Sequence, residues 1–221
     1  MSLTDLSPTY AVTTASGPPS KAYFRVIKPL LDRLLVLISL PITLPVIVVL
    51  ALLVMRDGHN PFFSQARVGR GGQTFRLLKL RTMVPNAETR LEEFLSSNPE
   101  ARAEWDATQK LKNDPRITKI GRLLRKTSLD ELPQLLNVLA GQMSLVGPRP
   151  MMPCQKSMYP GEAYYRLKPG ITGVWQVSSR NGCEFAERAQ FDASYERELS
   201  FVTDAKVLLR TVGVVLRATG Y

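Results

Sequence analysis

The chain has 221 residues, enough for one domain with a substantial apolar core. Its 29 Lys and Arg outweigh 19 Asp and Glu to give a formal net charge of +10, which calls for an acidic partner but does not choose among nucleic acid, anionic lipid and phosphorylated substrates. Two cysteines, Cys154 and Cys183, and the lone histidine His59 exclude a disulfide framework and a Cys-rich zinc site, and they leave little room for Ser-His or Cys-His catalysis.

Residues 1–20 are rich in Ser, Thr and Pro, lack hydrophobic periodicity and read as a disordered tail rather than a secretory signal. Residues 21–57 contain an uncharged apolar run, 34–55, that would reach about 33 Å as a helix and could cross a bilayer. Two features favour a re-entrant, helix-break-helix course over a plain span. Pro41 and Pro45 lie mid-run and each removes a backbone hydrogen bond, with the Ser39 and Thr43 hydroxyls at hand for the freed carbonyls. Cations flank both ends (Lys21, Arg25, Lys28 and Arg33 before, Arg56, Arg67 and Arg70 after), so the positive-inside tendency is met only if both ends face the cytoplasm.

Residues 58–221 then make a catalytic or binding domain. Gly71-Gly72 between two short apolar runs predicts a β-hairpin, and no phosphate-loop spacing is present. Residues 86–112 read as two charged helices parted at Asn98-Pro99, most simply a solvated face. Asp114-Pro115 is expected to open the next helix, whose basic side carries Arg125 and Lys126.

The densest segment is 125–150, RKTSLDELPQLLNVLAGQMSLVGPRP. Leu132, Leu135, Leu136 and Leu139 recur at the spacing of one buried helical face, Gly141 stops the helix, and Pro133 places its start near Glu131. Two readings of Asp130 and Glu131 stand side by side. In one, Ser128 or Asp130 caps the helix and Glu131 completes a capping box. In the other, ionised carboxylates at a helix mouth hold Mg²⁺ and attack phosphorus, with Arg125, Lys126 and Arg149 neutralising phosphate. Downstream, Trp175 reads as core, a lone Asp192 as a helix cap, and residues 199–221 as a basic amphipathic helix.

The 125–150 segment closely resembles the signature of the bacterial sugar transferases, the monotopic polyprenyl-phosphate phosphoglycosyl transferases. Two further blocks resemble theirs: PFFSQARVGRGGQTFRLLKLRTM, with Leu80 where Phe is usual, and PGITGVWQVSSR. The likeness implies a mainly helical α+β fold, with an N-terminal re-entrant membrane helix broken at Pro45 or Pro41. A small cytoplasmic-face domain with a β-hairpin and amphipathic interfacial helices would follow. It implies Asp130 as nucleophile and Glu131 as Mg²⁺ ligand, with Lys79, Arg81, Arg125, Arg149, Arg180 and Asp192 around the substrate. It also implies transfer of a hexose-1-phosphate, with galactose or glucose favoured, from a UDP-hexose to undecaprenyl phosphate. That step starts exopolysaccharide assembly at the bacterial inner membrane, in contact with membrane lipid, and leaves room for a homodimer. A non-catalytic module that binds anionic lipid or nucleotide sugar is the alternative. Nucleic acid is excluded as a partner, because the apolar run is long and no binding fold is recognisable.

Overall fold

The computed structural model describes residues 22–108, 111–178 and 185–216. The tail at 1–20 and Arg180 lie outside the described residues. After a π-helical turn, Tyr23–Ile27, a single apolar helix α1 runs Lys28–Val54 and closes in a 3-10 turn, Met55–Asp57. Helix α1 is continuous through Pro41 and Pro45, so the expected interruption between two helices is not seen. Ser39 Oγ donates to the Val36 carbonyl at 2.8 Å and Thr43 Oγ1 to the Ser39 carbonyl at 3.0 Å. These hydroxyls brace the turns around the prolines rather than the carbonyls of Leu37 and Pro41, whose i+4 donors the prolines remove.

One face of α1 docks on the rest of the molecule near both ends. Lys28, Asp32 and Val36 are buried at its start and Ile47, Ala51 and Val54 at its finish. Val36 packs with Phe75, Leu77, Val138 and Met143, whereas Ala51 and Val54 pack with Leu80 and Leu124. The opposite face is bare: Leu30, Leu34, Leu37, Ile38, Ile42 and Leu52 are all exposed, Ile42 by 74%. Such a stripe on a water-soluble surface would be costly, since each apolar side chain left in water forgoes about 1.5–3 kcal/mol.

Strands β1 (Phe62–Val68) and β2 (Thr74–Leu80) form the predicted antiparallel hairpin. Its turn needs positive φ at Gly71 and Gly72, 69° and 77°, which glycine adopts at little cost. Helices α2 (Ala87–Ser97) and α3 (Pro99–Thr108) follow, split at Asn98 as the sequence suggests. Helix α4 (Lys119–Thr127) starts later than expected: Thr118, not Asp114, is its N-cap, and its side chain accepts from the Gly121 amide at 2.9 Å. Asp114 is instead held by Arg116 through Nε and Nη2, at 2.8 and 2.7 Å.

Helix α5 (Gln134–Leu139) corrects the leucine-stripe expectation. Its buried residues are Gln134, Asn137 and Val138, while Leu136 is 46% exposed. The reason is an unpaired strand edge. Asn137 Oδ1 accepts from the Leu78 amide at 3.0 Å and its Nδ2 donates to the Arg76 carbonyl at 2.8 Å, so the side chain serves β2 as a neighbouring strand would. Gly141 ends the helix in the left-handed region, φ 76°, as predicted.

Strand β3 (Ser144–Val146) pairs in parallel with β4 (Gly170–Thr172). Here two backbones cross so closely that a Cβ on Gly170 would collide with the Gly147 nitrogen, and one on Gly147 with the Lys168 carbonyl. Short helices α6 (Ala163–Arg166) and α7 (Val174–Ser178) precede α8 (Arg188–Arg197) and α9 (Phe201–Leu216). Buried Asp204 on α9 accepts from Tyr23 and Lys28 at 2.7 Å and from Tyr195 at 2.6 Å, tying the chain's last helix to the start of α1.

Candidate active site

Asp130 does not sit on a helix. It lies in a 3-10 turn, Leu129–Glu131, launched by Ser128, whose φ of 58° places a non-glycine residue in the left-handed region. Backbone held in such a region is a small strain that recurs at functional sites. Neither Ser128 nor Asp130 caps α5 through its side chain, and Pro133 occupies the N-cap position. The capping reading is therefore not what the structure shows, and the acid side chains are left for other partners.

Their partner is Lys79 on β2. Its Nζ lies 2.8 Å from Glu131 Oε1 and 3.4 Å from Asp130 Oδ2. Arg149, delivered by the Gly-Pro-Arg-Pro turn after the glycine crossing, places Nη2 3.9 Å from the same Glu131 oxygen. Arg125 at the end of α4 donates from Nε to Thr82 Oγ1 at 2.9 Å and adds positive potential at Asp130. Burial pushes the Asp130 carboxyl above its ordinary value; Lys79 pulls it back, Glu131 raises it again, and Arg125 lowers it. The site thus sets desolvation against fixed cations, the balance that gives a carboxylate both charge and reactivity.

Of the other expected residues, Arg81 is not brought to the pair. Its guanidinium grips Asp57 through two nitrogens, each at 2.6 Å, and donates to the Asn60 carbonyl at 2.8 Å. Alternation along a strand would put Lys79 and Arg81 on one face, but β2 ends at Leu80 and Arg81 lies past it. Asp192 lies within α8 rather than at its cap. Its Oδ2 accepts from Tyr159 at 2.8 Å, and burial pushes its carboxyl up to about 7. Asp192 shares a narrow recess with Arg149, Tyr159, Trp175, Phe185 and Arg188. Arg188 carried no sequence signal beyond its charge. Trp175 is buried, as expected for a core residue, with Arg188 set over its ring at 4.1 Å.

Asp130 and Glu131 offer adjacent hard oxygen ligands, whereas among the described residues no three His, Cys, Asp or Glu side chains converge. Mg²⁺ commonly takes one or two carboxylates and completes its shell with water and substrate phosphates. The residues present therefore fit an ion shared with a diphosphate, not a closed protein cage.

Comparison with known proteins meets this geometry. The profile of the family described as "Bacterial sugar transferase" matches residues 23–218. A "UDP-galactose-lipid carrier transferase" of Erwinia amylovora is 48% identical over 211 residues, covering 95% of this chain and 44% of that protein. An "Undecaprenyl-phosphate galactose phosphotransferase" of Salmonella typhimurium is 45% identical over 203 residues, 91% of this chain and 43% of its own length. "Exopolysaccharide production protein ExoY" of Rhizobium meliloti is 44% identical over 176 residues, 79% of this chain and 78% of the relative. The chain spans less than half the length of the first two relatives and most of the third. The match runs from the start of the apolar helix to the end of α9 and takes in the acid pair, Lys79 and Arg149. The chain belongs to the bacterial sugar transferase family.

Proposed function

We propose that the protein transfers hexose-1-phosphate from a UDP-hexose to undecaprenyl phosphate in two displacements at one phosphorus. An Asp130 carboxylate oxygen attacks the β-phosphorus, the bond to the bridging oxygen breaks, and UMP departs with the electron pair. A phosphate oxygen of the lipid then attacks the same phosphorus and releases Asp130, giving the undecaprenyl diphosphate hexose. The anomeric carbon–oxygen bond is never cut. Mg²⁺, held by Glu131 and the substrate, would neutralise diphosphate charge. Lys79 opposes the rise that burial imposes on the Asp130 carboxyl and holds Glu131, while Arg125 and Arg149 offset charge on the transferring group. Galactose is the hexose we favour, as the names of two relatives carry it.

The observation that carries this reading is Asp130 itself: a buried carboxyl in a strained turn, met by Lys79 at 3.4 Å and used by no cap. Helix α1 supports the membrane setting. Its opposite ends dock on the same body and its outward face is apolar throughout, so we place both ends on the cytoplasmic face of the inner membrane, the helix bending into the bilayer about Pro41 and Pro45. A plain span would instead put its two ends on opposite faces of the bilayer.

Detergent-purified protein incubated with Mg²⁺ and UDP-galactose or UDP-glucose, without acceptor, tests the chemistry by intact mass. A hexose-phosphate adduct is expected in the unmodified protein and absent from Asp130→Asn. No adduct with any UDP-hexose, from folded protein, would sink the two-step route.

A further inference from the structure

Beside the acid pair three arginines gather, and the partners they have do not account for their burial. Arg67, on β1, donates from Nη2 to Gln65 Oε1 at 2.7 Å and reaches the Pro150 carbonyl with Nη1 at 3.5 Å. Its Nε is buried without any hydrogen-bond partner. Arg188, at the start of α8, sits over the rings of Trp175 and Phe185, 4.1 and 4.8 Å from their centroids, and its buried Nε is likewise unpartnered. Arg149 joins them: it follows Pro148 and precedes the Pro150 that Arg67 touches, lines the same recess as Arg188, and stands 3.9 Å from Glu131. Trp175 Nε1 is a further buried donor with no acceptor.

This assembly is short of negative charge. Three guanidiniums share two nearby carboxylates: Glu131 is already paired with Lys79, and Asp192, which accepts from the Tyr159 hydroxyl, is the one acid lining the recess. Burial depresses both Arg67 and Arg188, and the charge of Arg149 depresses them further. Buried donors left unmatched forfeit the hydrogen bonds they would make to water, and gathered like charges add to that cost. A trapped water would satisfy one N–H but would leave the charge unbalanced. An anion with several acceptor oxygens meets both needs, and guanidinium geometry suits phosphate.

Building on the transferase reading above, we infer that Arg67, Arg149 and Arg188 cradle a phosphate of the nucleotide donor, the one that leaves with the nucleoside. Trp175 Nε1 supplies a further donor to the same group. No residue of α1 lines the recess, whereas a lipid acceptor arrives along α1, so the cradle faces the water-soluble substrate. Arg149 then spans the two phosphates, with Glu131 and the transferring group on one side and the departing UMP on the other.

Binding of UMP and of uridine to the detergent-purified protein tests this, with Arg67→Gln, Arg188→Gln and Arg188→Lys as variants. UMP is expected to bind the unmodified protein well above uridine. Either Gln variant should weaken UMP by about tenfold or more while uridine and the ligand-free melting temperature hold, and Arg188→Lys should recover part of the loss. UMP affinity unmoved in both Gln variants would overturn the cradle. So would equal losses for UMP and uridine, which mark a nucleoside site, or a change confined to acceptor saturation, which marks a lipid-phosphate site. The Asp130 adduct separates the two claims. An adduct that forms while UMP affinity ignores the variants defeats the cradle alone, whereas its absence defeats the transfer route and leaves the UMP comparison to decide the cradle.

Discussion

Two acid clusters divide the labour of this molecule. Asp204 is well satisfied: Tyr23, Lys28 and Tyr195 donate to it at 2.6–2.7 Å, and the group is buried where α9 meets the start of α1. Asp130 is equally buried, at 7% exposure, but its one described hydrogen bond, from Lys79, is long at 3.4 Å. Both acids have a lysine and both lie far in sequence from it. The difference is donor count, and it teaches how to tell a structural carboxylate from a reactive one. A carboxylate that accepts three short hydrogen bonds is a joint; one faced by cations yet short of donors keeps lone pairs to offer.

The largest expected effect that would sharpen this contrast is at the reactive acid. Asp130→Asn keeps the shape and removes the nucleophile, so turnover should fall by about a thousandfold or more with melting temperature little changed. The mirror image is Asp204→Ala, which removes the acceptor that Lys28, Tyr23 and Tyr195 share. Unfolding in detergent should show a loss of about 3–5 kcal/mol, while the fraction still folded forms the Asp130 adduct. A large fall in adduct yield per folded molecule would break the contrast.

Asp192 tests an intermediate case, one good hydrogen bond under heavy burial. Its carboxyl rises from 3.8 to about 7 in the folded protein. The folded state therefore binds the proton more tightly, and this group's contribution to stability falls as pH rises from about 4 to 7. Asp192→Asn should raise the melting temperature at pH 8, by up to a few kcal/mol in free energy, and do little near pH 4. The smallest expected effect is at Lys79. Its charge lowers Asp130, so Lys79→Met should lift the Asp130 pKa and move the acid limb of the rate profile upward by about one pH unit or more. An unmoved limb would show that Arg125 alone keeps Asp130 ionised.

Much of this could be read from the chain. Gly71-Gly72 and Gly141 announce their turns because left-handed backbone has few other tenants, and the apolar run of α1 needs no tertiary information. Asp130, Glu131, Lys79 and Arg149 were nominated by motif and are found together. What escaped was governed by long-range partners. The leucine spacing of 132–139 suggested a buried face, yet Asn137 won the interior because the edge of β2 required a donor and an acceptor. Arg81 looked like Lys79 in sequence, but Asp57 claims it. Asp204 matches a recurrent family acid but the chain alone gives it no role, and Arg188 carries only its charge; their partners, Tyr23, 181 residues from Asp204, and Trp175, come from far along the sequence or from the fold.

The crossing of Gly147 and Gly170 sets a limit on drift at the reaction centre. Peptide rests on peptide there, with no side-chain rotamer between, so the turn bearing Arg149 inherits the stiffness of covalent geometry. Displacements that elsewhere would be absorbed by a pivoting side chain pass to the backbone that carries Arg149. The point from which Arg149 reaches toward Glu131 is thus set by two residues that carry no functional group.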